Sequence, residues 1–286
     1  FVNLVYIFFM IIWIASYPKS GNTWIRFFLL SLLSNSKVDV TLKDLHNIKQ
    51  FPSKSLFKKF DINTNFKNSN EISKYWLEAQ KKINSDNKVR FLKTHNAFCK
   101  INENVFTNND NTLGTIYIVR DPRNIISSIN NHFNHENINI SLEFMLDEYK
   151  GTGSEKILPQ LISSWKTHYN SWKQMKKNYL LIKYENLINS PFSEFKKISI
   201  YLEKFFGNKI SDEKLESAIK LSSFERLKNI EEEKGFSESV VNEKTGSKNK
   251  FFFLGPKNNW QELIDEKTVY QINKKFKKEM EELGYL

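Results

Sequence analysis

Cysteine is nearly absent: Cys99 is the single one among 286 residues. That excludes an internal disulfide and a cysteine-rich zinc site, and it suits a reducing compartment. Cys99 itself reads as a core or near-surface thiol. Internal repeats are missing, and so is any recognised nucleic-acid-binding motif, so no nucleic-acid partner is expected. The apolar run FVNLVYIFFMIIWIA over residues 1–15 is shorter than the roughly twenty residues that a membrane-crossing helix needs. No basic n-region precedes it, which argues against a signal peptide. The chain opens on Phe1, and Met10 stands where a protein reading MIIWIASYPKSGNTW would start. Residues 1–9 are therefore expected to be an upstream extension or a hydrophobic arm for a membrane or partner chain, and residues 10–286 a single domain.

What is present suffices for a full core. Apolar residues make up 40% of the chain and aromatics 14%, which fits one large α/β domain better than two small ones. The 43 basic and 32 acidic residues leave a net charge of +11. Such a field attracts a nucleotide, an anionic lipid surface or nucleic acid, and charge alone does not choose among them. Lys274, Lys275, Lys277 and Lys278 fall on a predicted C-terminal helix and read as a solvated face.

Strand and helix patterns alternate along the chain. Buried strands are predicted to end at Ala15 and to cover 89–94, 115–119 and 179–183. Helical spacing marks 24–33, 71–83, a stretch from Pro122 onward, 158–176, 191–206, 212–220 and 267–283. Trp165 and Trp172, one heptad apart, are expected in the core. Segments 38–69, 134–153 and 230–250 read as loops that build an acceptor pocket. The alternation implies a central parallel sheet flanked by helices. Ligands of such sheets sit at the carboxyl ends of the strands, where Lys19, His95, Arg120 and Tyr184 fall.

The stretch IIWIASYPKSGNTW at 11–24 is the most telling. A buried strand runs straight into Pro18, Lys19, Ser20 and Gly21 ahead of a helix. Such a loop aims backbone N–H groups, a helix N-terminus and a lysine at one point, which suits phosphate or sulfate. An ordinary strand-to-helix connection uses the same residue types. It is not a Walker A loop, because no G-x-x-x-x-G-K-[ST] occurs and the lysine precedes the glycine. KTHNAF places His95 just past a strand end. YIVRDPRNIISSINNHF carries Arg120 and, eight residues on, Ser128. Guanidinium and hydroxyl make a sensible phosphate clamp, although Arg120 has Asp121 and Glu185 as alternative partners. Trp24 and Phe224 read equally as core aromatics.

YPKSGNTW resembles the 5′-phosphosulfate loop of sulfotransferases that use 3′-phosphoadenosine 5′-phosphosulfate (PAPS), and further segments follow in that family's order from 11 to 260. The resemblance implies an α/β fold akin to P-loop nucleotide transferases and in-line transfer of a sulfuryl group from PAPS to an acceptor hydroxyl or amine. It assigns the phosphosulfate to Lys19, Ser20, Gly21, Asn22 and Thr23, with Trp24 stacking on adenine. His95 becomes the general base, and Lys19 and Lys93 neutralise charge on the leaving phosphate oxygen. Arg120 and Ser128 take the 3′-phosphate. Tyr184 in KYENL and Phe224 in LSSFERLK help to hold adenine, and Ser222 matches a hydroxyl near the nucleotide.

FFFLGPKNNW at 251–260 resembles the family's closing loop, F-x-R-K-G-x-x-G-x-W, and keeps Gly255 and Trp260. Phe253 and Leu254 stand where the arginine and lysine belong, so Lys257, or Lys248 and Lys250 upstream, is expected to supply the charge. By analogy with phosphoryl transfer, no metal is required in principle. Two rivals stay open. One is a nucleotide-dependent kinase, against which the absent Walker lysine and the Arg120/Ser128 pair count. The other is a nucleotide-binding protein that has lost catalysis, suggested by Phe253 and Leu254. The expected setting is cytoplasmic, with peripheral membrane contact left open and a small-molecule, lipid or carbohydrate acceptor. Thr268 and Val269 match only a fragment of a dimer motif of some relatives, which leaves a homodimer open.

Overall fold

Strand β1 (Ile11–Ser16) is buried at every position, because packed layers cover both faces of the sheet. Its side chains alternate between them. Ile11, Trp13 and Ala15 enter one core cluster, and Ile12 and Ile14 enter another. β1 pairs in parallel with β2 (Arg90–Thr94) on one side and β3 (Thr112–Val119) on the other, and β3 pairs in parallel with β4 (Tyr179–Lys183). The strand order is β2-β1-β3-β4. The chain therefore leaves β1 toward one flank and later returns to the other, so the loops after β1 and β3 part and leave a crevice between them.

Helix α1 (Asn22–Leu33) packs Ile25, Phe28, Leu29 and Leu32 on one face of the sheet. Helix α2 (Pro122–Phe133) packs Ile125, Ile126 and Ile129 on the other. This is the expected α/β architecture with a central parallel sheet between helices. The computed structural model describes residues 10–34, 40–153, 157–242 and 246–286. The expected extension or arm at 1–9 lies outside the described residues. Among those described, no helix is long and apolar enough to cross a membrane.

Several local expectations change. The helix predicted over 158–176 is only α3 (Trp165–Trp172). Gln160–Leu161 pairs instead with Gly151–Thr152 as a short antiparallel ribbon, and Ser163 takes a φ of 63°, which a helix does not accept. Ser164 then caps α3 by accepting from the Thr167 amide. Both tryptophans are buried, as expected. The helix over 71–83 divides into Ser69–Ser73 and Trp76–Asn84. Ile138–Leu146 is helical within a stretch read as loop, because Asn137 caps it and Leu142, Phe144 and Met145 find the core.

Candidate active site

The turn after β1 holds Lys19 at a φ of 66° and Gly21 at 103°. A lysine in this region costs about 1–3 kcal/mol, strain of the kind that clusters at functional loops. Gly21 meets a second constraint: a Cβ there would lie 2.7 Å from Tyr184 Cδ2. Gly21→Ala is therefore expected to destabilise the fold by more than about 1 kcal/mol, read as a lower urea midpoint at unchanged slope. α1 starts with no side-chain cap and no acid in its first turn, so its leading amides stay available to an anion. Asn22 Nδ2 donates to the Ile14 carbonyl at 3.0 Å and to Ser16 Oγ at 3.2 Å, pinning helix to strand. Ser20 Oγ is buried and has no hydrogen-bond partner among the described residues.

Arg120 forms the other lip, at the end of β3, and is 5% exposed. Its Nη1 donates to the Lys19 carbonyl at 3.0 Å and reaches Ser128 Oγ at 3.4 Å. The guanidinium lies 4.1 Å from the centre of the Tyr184 ring, and its Nε has no partner among the described residues. The carboxylates named as alternatives are engaged elsewhere. Asp121 pairs with Arg123, and Glu185 accepts from the Asp121 amide and the Tyr285 hydroxyl. Asn258, which the sequence did not single out, donates to Ser128 Oγ at 3.0 Å and to the Asn124 carbonyl at 2.7 Å. Lys257 is exposed, and Lys250 pairs with Glu232 at 2.8 Å.

Trp24 and Phe224 both border a third core cluster. Trp24 stands edge-on to Tyr184, with its Nε1 unpartnered. The Phe224 ring lies so close to Gly255 that a Cβ there would meet it at 2.3 Å, which seats the closing loop directly on the phenyl face. Ser222 is fully buried and spends its proton on the Ala218 carbonyl.

β2 delivers Lys93 and, just past its end, His95. His95 Nδ1 lies 2.8 Å from the Ser16 carbonyl. A carbonyl only accepts, so Nδ1 carries the proton and Nε2 presents its lone pair. Gln160 Oε1 accepts from the His95 amide at 3.3 Å, and Gln160 also lines a groove of about 1000 Å³ with Phe66 and Tyr149. Burial, then the charge of Lys93, push the imidazole down to about 3. Burial likewise lowers Lys19 to about 7, with Arg120 adding to the effect, and Lys93 to about 8.

Two further residues join the cluster. Glu238 accepts from Lys93 Nζ at 3.1 Å, Arg26 Nη1 at 2.8 Å and Thr23 Oγ1 at 3.3 Å. Burial alone would raise its carboxyl, but Lys93 and Arg26 hold it below the usual carboxylate range. His132 packs edge-on to Phe251, whose ring Lys19 Nζ covers at 3.8 Å. The spacing of four from Ser128 could have found His132; no motif marks Glu238. Among the described residues no group of three His, Cys, Asp or Glu is placed to hold a metal ion.

Residues 11–284 match a sequence model of the sulfotransferase domain. The chain is 24% identical over 280 residues to cytosolic sulfotransferase 17 of Arabidopsis thaliana, spanning 96% of this chain and 75% of that protein. It is 25% identical over 282 residues to luciferin sulfotransferase of Photinus pyralis, spanning 93% and 70%. The fold superposes on a mouse sulfotransferase complexed with PAP at a TM-score of 0.60 and 19% identity, over 95% of this chain and 84% of that one. With a domain match that runs nearly end to end, this chain belongs to the sulfotransferase family.

Proposed function

We propose that this enzyme transfers a sulfuryl group from PAPS to a hydroxyl of a small-molecule, lipid or carbohydrate acceptor in the cytoplasm, with His95 as general base and residues 10–286 as one catalytic domain. One observation carries the reading: an uncapped anion loop, a buried guanidinium with no carboxylate partner among the described residues and a neutral imidazole converge on one crevice. Buried polar atoms without partners cost stability unless a ligand satisfies them, and Ser20 Oγ and Arg120 Nε are two such atoms. The site fits a nucleotide with several anionic groups. Lys19, Thr23 and the amides opening α1 would hold the phosphosulfate, and Arg120, Ser128 and Asn258 the 3′-phosphate. Trp24, Tyr184 and Phe224 would hold the adenine.

The donor supplies the sulfuryl group and a phosphate leaving oxygen; positioning and proton transfer belong to the protein. His95 Nε2 takes the acceptor proton while the Ser16 carbonyl fixes the tautomer. Burial is the larger cause of its lowered basicity, and bound negative charge would offset the Lys93 part. Lys19 and Lys93 supply fixed positive charge beside the loop.

The two lysines set a pH dependence. Because kcat/KM reports the free enzyme, it should fall as pH rises through about 7 to 8, where Lys19 and Lys93 lose their protons. In the nucleotide complex an adjacent anion supports both ammonium groups, so kcat should hold to higher pH. Coincident alkaline limbs in a pH–rate series would remove the lysines from the donor site. At the closing loop, Asn258→Ala should weaken PAP binding about tenfold and Lys257→Ala by under about twofold. Calorimetric titration giving the reverse order would return the phosphate contact to the lysine.

A further inference from the structure

We propose that Glu238 is a positioning residue for sulfuryl transfer, clamping Lys93 and Thr23 in place at the donor loop from a distant segment of the chain. The inference rests on the donor site proposed above and assigns it a part that no motif marks.

The geometry joins three segments through one carboxylate. Oε1 accepts from Arg26, and Oε2 accepts from both Lys93 and Thr23. Thr23 and Arg26 are three residues apart on α1 and so share a face, while Lys93 arrives from β2. Arg26 is 2% exposed and Lys93 8%. Arg26 is itself fixed, since Nη2 donates to the Leu45 carbonyl at 3.3 Å. The segment that carries Glu238 is anchored on either side. Gly235 turns the chain at a φ of 69°, Phe236 is buried in the third core cluster, and Ser239 Oγ donates to Glu231 at 2.6 Å.

Charge explains why a carboxylate stands there. Lys93 faces the Arg26 guanidinium and acts on Lys19, His95 and His132, all groups that are or can become cationic. A cavity of about 360 Å³ that Lys93, Arg26 and Glu238 all line also carries Lys43, His46 and Lys49, and Glu238 is the one acid among its described lining residues. Glu231 acts on Lys19 from farther off and is engaged by the Phe251 and Phe252 amides. Without Glu238 two buried cations would stand uncompensated. Lys93 would then lose both its anchor and much of the field that keeps it protonated.

The test is Glu238→Gln, a neutral isostere, in the chain as it stands. Three readings apply: PAP titration by calorimetry, the alkaline limb of kcat/KM, and kcat at pH 7.5. The expected result is a kcat lower by about tenfold and a limb moved down by about one pH unit or more. PAP affinity should stay within about threefold, and the deficit in kcat/KM should shrink toward pH 6. Glu238→Asp keeps the charge with a shorter reach, so its limb should move the same way by less, and it serves if the glutamine variant does not fold. An unmoved limb in the folded variants, even with activity lost, overturns the positioning role. So does PAP binding tightened about tenfold at an unmoved limb, which would make Glu238 a competing anion. Failure of the wild-type protein to bind PAP would instead sink the donor reading on which the inference rests.

Discussion

His95→Ala is expected to lower turnover by about 10²- to 10⁴-fold while PAP affinity stays within about twofold. The two effects separate because of where the ring sits. His95 belongs to the end of β2, and its Nδ1 is spent on the Ser16 carbonyl, so its remaining nitrogen contributes a lone pair and no donor to the anion loop. Removing it takes away the proton acceptor and leaves the amides of α1, Lys19 and Arg120 in place. His132→Ala is the control, since that imidazole is also held neutral near pH 7 by burial and neighbouring lysines. If His132→Ala stopped the reaction and His95→Ala did not, the base would be on α2.

Arg120→Ala should weaken PAP binding by about 100-fold or more, the loss of about 3 kcal/mol from charge-assisted hydrogen bonds at a buried site. Arg120→Lys should recover little of it, because an ammonium is a point charge without the planar pair of donors. The nucleotide-free protein should melt within a few degrees of wild type or above it. Among the described residues no carboxylate pairs with this guanidinium, so its removal strands no buried anion there. That combination distinguishes a ligand-binding arginine from a structural one. For adenosine 5′-phosphosulfate, which lacks the 3′-phosphate, wild type and variant should bind alike. An equal loss for both nucleotides would move Arg120 away from the 3′-phosphate.

Much of this was readable from the chain because its informative parts are local. β1, the loop and α1 follow from one contiguous stretch, and the parallel sheet follows from the alternation of apolar strands with helical periods. Lys19, His95 and Arg120 each fall at a strand end, so their convergence follows from topology once the strands are ordered. Where tertiary contacts decide, the reading failed. The period over 158–176 is helical, but Ser163 takes a left-handed φ and Gln160 joins a ribbon with Thr152. Asn258 and Glu238 reach the site across chain separations of 130 and 145 residues. Polar side chains in irregular segments carry no periodic signal, so nothing short of the fold could place them.

The most direct test of the account supplies the protein with PAPS labelled in its sulfate and a panel of hydroxyl acceptors, beside a parallel reaction with ATP and magnesium. Label is expected on an acceptor as PAP accumulates, His95→Ala should stop the transfer, and ATP should be left intact. Phosphate transferred from ATP, or PAPS bound with no label moved to any acceptor, would contradict it.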